Sequence, residues 1–530
     1  MNRFVVTIGG TGAKCFEALV FLSAAGAFNQ DVTLFHIDPD KNNGNWIKAY
    51  SALLSFQEIK KQISRRDILG RVFNSSFQPP VEGMWVHNPY PRKTDTENYT
   101  SLREYCGNDD ELLQLLFAEK ARNDDWEIGF KGRASVGSIA AAACIKEGLD
   151  PWDTIIKRIN SDATEETRFF LLGSIFGGSG ASIFPTVAKL LSKRIVNAEK
   201  FVIGGSLLFP YFRFEVPTEE SLKAIDRTSE DFAKPGDFLP KAKQHLEYYQ
   251  KSPQGLFRRI YIVGCDQPRF IPPFYGGKEQ MNPSHYLEMV AVMAGKDFFT
   301  VASPELKKLK YMHLCEGMEV GAGNSAKQRE GDEKIKDAVI WKIFPEGEAI
   351  GEKLLVFATM AYSFLEFWNP LLDSEEFKRT MWFKELIGDD PQFREKIAAL
   401  GDFFEKYLNW LLEIHYGNYN TISGGYDFDS NMQLFDAASI KKLLGEVNAG
   451  GVAHDAATQL NRLKYNLMKN DGNLSYTPRL NAPYDGLFLW KNKDEYEKIK
   501  KVNRGLSQFE SLLNIIKTTS ESLVKENYRY

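Results

Sequence analysis

Residues Phe4-Val5-Val6-Thr7-Ile8-Gly9-Gly10-Thr11-Gly12-Ala13-Lys14 decide the reading of this chain. A short β-branched run stops at glycine, which predicts a buried strand. Cys15–Ala25 follows with Phe16, Leu19, Val20 and Leu22 at helical spacing, and Val32–Ile37 reads as a second strand that ends at Asp38-Pro39-Asp40. Strand, glycine loop, helix, strand is the opening of a parallel α/β sheet.

The pattern returns further on. The apolar run Thr167–Ile175 ends at Gly177-Gly178-Ser179-Gly180-Ala181-Ser182, and Ala181–Lys193 has helical periodicity. Phe201–Phe209 and Arg259–Val263 read as further strands, and Ser135–Glu147, Ser221–Asp231 and Lys241–Lys251 as helices. Between the second strand and this region, helical pieces are expected around Glu58–Val72 and Asp110–Ala121, with Gln78–Asn98 a loop or insertion. Beyond about residue 300 the periodicity is helical: Glu352–Trp368, Gln392–His415, Ala437–Val447, Ala453–Met468 and Glu495–Lys525. Asn418–Ser430 and Asn470–Asn473 read as loops, and Lys310–Leu314 and Ala338–Phe344 as strand candidates. The expected organisation is an α/β domain over 1–300, a parallel sheet with flanking helices, followed by a mainly helical domain over 301–530.

Composition supports an ordinary globular protein. Of 530 residues, 43% are hydrophobic and 26% charged, and the formal net charge is -4. A near-neutral balance argues against general nucleic-acid binding, which needs a strongly basic face. The five cysteines include no CxxC pair, so neither a disulfide framework nor a structural zinc site is expected. The first apolar run reaches glycine too soon for a secretory signal, and no stretch approaches the ~18–20 apolar residues of a membrane span. A cytoplasmic protein without membrane insertion is the expectation.

The two glycine loops carry the chemistry. Each lies between a strand and a helix, at the carboxyl end of a parallel strand, where open α/β sheets bind ligands. Glycine has no Cβ, so the chain turns tightly and its N–H groups reach a ligand, while the following helix adds unpaired N–H groups and the positive end of its dipole. Gly9, Gly10, Thr11, Gly12, Ala13 and Lys14 in one loop, and Gly177, Gly178, Ser179, Gly180, Ala181 and Ser182 in the other, are therefore candidate phosphate-binding residues. The first loop is not a Walker A sequence, since Ala13 separates Gly12 from Lys14 and Cys15 follows, and it lacks the third glycine of a dinucleotide fingerprint. Asp38 and Asp40 can accept a ribose hydroxyl or hold magnesium through water; a turn or helix cap is the other reading.

In their order these loops resemble those of the tubulin/FtsZ superfamily. That family has a glycine loop after its first strand, an acidic turn after the second, a third loop at the terminal phosphates and a fourth reading G-G-T-G-[SA]-G. The fourth is similar to Gly177–Ser182, with serine at the threonine and at the last glycine; the third resembles Lys131-Gly132-Arg133-Ala134-Ser135. Phe209-Pro210-Tyr211-Phe212-Arg213-Phe214-Glu215 resembles the family's Pro-Phe-x-Phe-Glu-type segment, and the likeness covers about residues 1–300. It implies that GTP or GDP binds, with magnesium, at the two glycine loops, at Asp38 and Asp40, and at Gly132, Arg133, Ala134 and Ser135. It places the base near Asn282, at the head of a helix expected over Pro283–Phe299, and it implies assembly into homo-oligomers or filaments.

The departures bear on turnover. The family hydrolyses GTP with a carboxylate from an Asn-x-Asp-type motif on the neighbouring subunit. No such motif follows the expected helix here; the nearest carboxylates are Glu288 and Asp297, and a surface position is the alternative reading of each. A self-assembling GTPase, transferring phosphoryl to water, is thus one function. A nucleotide-gated interaction protein that docks partners through its helical half, with little hydrolysis, is a second. A Rossmann-type enzyme using a dinucleotide or methyl donor is a third, against which the second glycine loop counts.

Overall fold

The computed structural model describes residues 1–64, 69–94, 96–107, 111–161, 164–224, 233–251, 256–265, 268–274, 276–306, 310–315, 347–373, 375, 392–420, 425–428 and 501–527. These divide into two compact units. One holds Met1–Leu19, Gln30–Tyr50 and Ser76–Met318; the other holds Val20–Asn29, Ser51–Ser75 and Glu319–Tyr530.

The first unit is built on a parallel sheet. Its strands are β1 (Asn2–Ile8), β2 (Val32–Ile37), β3 (Phe77–Gln78), β4 (Val86–His87), β5 (Thr167–Ser174), β6 (Phe201–Leu208), β8 (Arg259–Gly264) and β10 (Lys310–Cys315). The short β7 (Phe212–Arg213) and β9 (Arg269–Phe270) pair only with each other. Across the sheet the order is β10-β8-β6-β5-β1-β2-β3, with β4 also on β2. Every ladder is parallel, with Ile8 opposite Gly173 where β1 meets β5. Helices cover both faces of such a sheet, so the middles of its strands are largely apolar; all eight residues of β5 are buried, Thr167 and Arg168 included. The chain winds outward from β1 in one direction to β3 and from β5 in the other to β10. The reversal falls between β1 and β5.

The helices of this unit begin with α1 (Gly9–Ala24) and α2 (Gly44–Lys61), both of which run on into the second. Next come the short α3 (Leu102–Cys106), α4 (Glu111–Leu116) and α5 (Glu119–Asn123), then α6 (Ala134–Cys144), α7 (Trp152–Ser161), α8 (Gly178–Arg194), α9 (Glu219–Ala224), α10 (Phe238–Lys251) and α11 (Tyr286–Thr300). The helix expected over Glu58–Val72 starts instead at Gly44: the Asn43 side chain accepts the Asn45 N–H at 3.0 Å and opens the first turn. The expected helix over Asp110–Ala121 is two pieces, α4 and α5.

In the second unit lie α12 (Gly347–Ser363), continued by a π-helical turn over Phe364–Trp368, α13 (Asn369–Asp373), α14 (Phe393–His415) and α15 (Gln508–Asn527). An antiparallel hairpin, β11 (Tyr416–Asn420) and β12 (Gly425–Phe428), replaces the loop expected at Asn418–Ser430. Aromatic rings fill its core: Phe403 lies 5.4 Å from both Phe21 and Phe73, and Trp410 5.3 Å from Phe21. The expectations for Ala338–Phe344, Ala437–Val447, Ala453–Met468 and Asn470–Asn473, and for the first part of Glu495–Lys525, lie outside the described residues.

Candidate functional site

The two glycine loops follow adjacent strands, β1 and β5, at the point where the strand order reverses. Open α/β sheets place ligands at that point because the loops on either side diverge and leave a crevice. The loops are in contact: a methyl group on Gly9, whose φ is +70°, would lie 3.1 Å from the Ser179 Cβ. The Ser179 hydroxyl is 3.4 Å from Asp38 Oδ1, so the acidic turn joins them. A methyl on Gly178 would lie 2.7 Å from the Phe130 Cβ and 3.2 Å from the Gly132 nitrogen, so the third loop is there too. All four segments singled out in the sequence converge.

Helix α8 is capped by Gly177 and α6 by Arg133, neither with a side-chain bond to the first turn. With α1, which starts at Gly9, three helices of 11 or more residues thus begin at this crevice. The N–H groups and dipoles of helix N-termini favour a negatively charged group placed before them.

Only part of the sequence-derived set faces outward. Gly10, Thr11, Gly177, Ser179, Gly132, Arg133, Ala134 and Ser135 are partly or fully exposed. Gly9, Gly12, Ala13, Gly178, Gly180, Ala181 and Ser182 are buried, and their smallness serves packing; Lys14, Asp38 and Asp40 are buried as well. A methyl on Gly12 would lie 2.8 Å from the Thr7 carbonyl carbon, and one on Gly180 2.3 Å from the Ser174 carbonyl oxygen. The Ser182 hydroxyl is spent inside its own helix, donating to the Gly178 carbonyl at 2.7 Å. In the third loop Arg133 and Lys131 both pair with Asp124, the lysine at 3.3 Å.

Lys14 does not reach the crevice. Its ammonium pairs with Glu288 Oε1 at 2.6 Å and also donates to the Pro283 carbonyl. The Tyr211 hydroxyl donates to the same carboxylate at 2.7 Å, and Glu288 Oε2 accepts the His285 N–H at 2.9 Å, closing a capping box at the head of α11. His285 Nδ1 accepts from the Leu287 N–H; burial, with Arg269 and Lys14 nearby, holds the imidazole neutral by lowering its pKa well below the usual value. Glu288 is therefore neither a surface residue nor available to orient a water. Asp297 sits at the other end of α11, half exposed, accepting from Arg259 and Tyr261 at the amino end of β8. The loops lie at the carboxyl ends of the strands, so neither candidate carboxylate faces the crevice.

Beside Gly10, Asp40 and Asn282, both singled out in the sequence, belong to a cluster whose other members, Asn43, Asn45, Gly277 and Gln280, the sequence did not point to. Asp40 Oδ2 accepts the Gly277 N–H at 2.9 Å, Asn43 Nδ2 donates to Gln280 Oε1 at 3.0 Å, and Asn45 and Asn282 exchange bonds at 3.3 and 2.9 Å. Asn282 is buried within this cluster. Burial and the neighbouring Asp38 raise the Asp40 carboxyl to about 6, outweighing the donors that favour its charge. The signal was present as four amide and acid side chains in Asp40-Lys41-Asn42-Asn43-Gly44-Asn45, next to a strand end. Among the described residues no group of three or more His, Cys, Asp or Glu side chains could hold a metal alone. A magnesium ion bound mainly by phosphates needs only one or two protein carboxylates; the carboxylate beside the loops is Asp38, 2% exposed and 3.4 Å from the Ser179 hydroxyl.

No protein-family model matches the chain, and no curated protein does. Among solved structures the chain is similar to CetZ from Methanosaeta thermophila strain DSM 6194, at 12% identity and a TM-score of 0.25, over 58% of this chain and 57% of that one. The chain thus matches a little over half of that protein's length, and a likeness of that size carries no weight for function. No described helix is long and apolar enough to cross a membrane.

Proposed function

We propose that the chain binds a guanine nucleotide, with magnesium, in the crevice between β1 and β5, and that the bound nucleotide controls self-association, as the tubulin/FtsZ resemblance implies. The observation that carries the reading is the meeting of the partly exposed Gly10, Thr11, Gly177 and Ser179 beside Asp38, with the third loop against the fourth. Backbone N–H groups and three helix dipoles suit the triphosphate, and Asp38 would hold magnesium through water.

Both carboxylates considered for hydrolysis are engaged away from the crevice. Turnover by this chain then needs a carboxylate supplied by another copy, and without one the protein is a nucleotide-gated binding protein. That second reading is favoured by the Lys14–Glu288–Tyr211 contacts. The strand order is shared with dinucleotide-binding folds, so ligand choice separates the readings. Calorimetry with GTP, GDP, ATP, NAD and S-adenosylmethionine should give binding of GTP in preference to the last three. Sedimentation should increase with GTP, and turnover per subunit should rise with protein concentration if copies complete the site. GTP binding without turnover leaves the gated protein; preference for NAD or S-adenosylmethionine sinks both.

A further inference from the structure

Four leucines fall within the six residues of α4, Glu111-Leu112-Leu113-Gln114-Leu115-Leu116. Only Leu113 is buried; Leu112, Leu115 and Leu116 are 64%, 81% and 62% exposed. Their spacing of three and four puts them on one face of the helix. So short a helix has little stability of its own and forms where an apolar face packs on something. Here that face is turned outward. Among the described residues no other helix carries three large apolar side chains this exposed; Ile47 with Leu54 on α2 and Leu239 with Tyr248 on α10 come nearest. Single exposed apolar side chains are ordinary, whereas a contiguous group marks a contact.

The best match for this face is its own copy. A head-to-tail contact joins two different patches and needs a second apolar face of similar size, which the described residues do not supply. A twofold contact pairs a patch with itself. The rim charges then choose between parallel and antiparallel helices. Exposed Glu111 stands at the amino end of the leucine face, while Lys120 and Arg122, with Glu119 beside them, lie past its carboxyl end. Antiparallel copies turn the acidic end of one toward the basic end of the other; parallel copies set like ends together. Three leucines a side cover well under the ~800 Å² per partner of a standard stable interface, so the pair is weak and forms with rising concentration.

We infer that the Leu112, Leu115 and Leu116 face of α4 is a twofold contact between two copies of this chain, α4 packing antiparallel on α4. The contact needs no nucleotide and stands whether or not the crevice binds one. Sedimentation velocity of the nucleotide-free full chain, from low to high micromolar concentration, should show a monomer giving way to a dimer. Leu115→Glu places a charge at the centre of the pair and should raise the dissociation constant by about tenfold or more, with the melting temperature of the dilute protein unchanged. Leu112→Ser with Leu116→Ser gives the same test should Leu115→Glu fail to fold. Glu111→Lys and Lys120→Glu should each weaken the dimer by a few-fold, as loss of an exposed charge pair does, and together they should restore it. A chain that stays monomeric throughout, or a dimer that the leucine variants leave intact, overturns the contact and leaves the nucleotide reading untouched. Charge reversals whose effects add instead of cancelling overturn the antiparallel arrangement.

Discussion

Lys14 and Glu288 form a salt bridge of 2.6 Å with side chains 4% and 0% exposed. It joins the second turn of α1, directly behind the first glycine loop, to the first turn of α11. A buried pair of this kind adds little net stability compared with apolar residues of the same shape, yet breaking it is expensive because one charge is stranded.

Lys14→Met should therefore cost about 3–5 kcal/mol of unfolding free energy, read from denaturant titration. The double substitution Lys14→Met with Glu288→Gln should recover much of that, because no buried charge is left over. A Lys14→Met protein as stable as wild type but impaired in GTP binding would show that the ammonium belongs to the ligand.

Two glycines of one loop should respond oppositely to the same change. Gly12→Ala puts a methyl 2.8 Å from Thr7 main chain and 3.2 Å from the Leu172 carbonyl oxygen, where only backbone could yield, so an overpacking loss of about 1–3 kcal/mol is expected. At Gly10 the same methyl meets its neighbours at ordinary contact distance. Gly10→Ala should keep its melting temperature and lose nucleotide affinity. Equal melting temperatures for the two variants would refute the packing role of Gly12.

Asp40 should leave a mark on the pH dependence of stability. Its carboxyl is raised from an ordinary 3.8 to about 6, so between these values the folded state holds more protons than the unfolded one. Its contribution is complete below about pH 4 and is lost as the pH rises through 6. His87, lowered to about 4 by burial, acts in the opposite sense over an overlapping range. The difference between wild type and Asp40→Asn isolates the aspartate: the variant should gain relative stability from pH 4 to 7. A difference that stays flat across that interval would mean Asp40 is ionised normally.

In the second unit, Phe403 touches Phe21, Phe56, Phe73 and Phe357. Phe403→Ala should cost about 3–5 kcal/mol, as truncation of a large buried ring does. A loss below about 1 kcal/mol would show that the cluster is not a packed core.

The strands, the glycine loops and the acidic turn were legible because each is a local signal: an apolar run that ends where side chains must be small. The start of α2 was not, since Asn43-Gly44-Asn45 reads as a loop until the Asn43 side chain is seen to cap it. The role of Lys14 was misread for a related reason. A lysine after a glycine loop suggests phosphate, and only the fold brings Glu288 and Tyr211 beneath it. The contacts of Asp40 with Gly277, Asn43 with Gln280 and Asn45 with Asn282 were illegible because each joins residues 237 apart, and nothing in either segment alone names the other.

Helices α1 and α2 each start in one compact unit and finish in the other. A shortened gene product ending near residue 300 would keep Phe21, Phe56 and Phe73 but lack Phe357, Phe403 and Trp410, against which they pack. Such a fragment would present a sticky aromatic face and tend to aggregate, so the glycine-loop half of this protein cannot be harvested as an independent piece by trimming the carboxyl end.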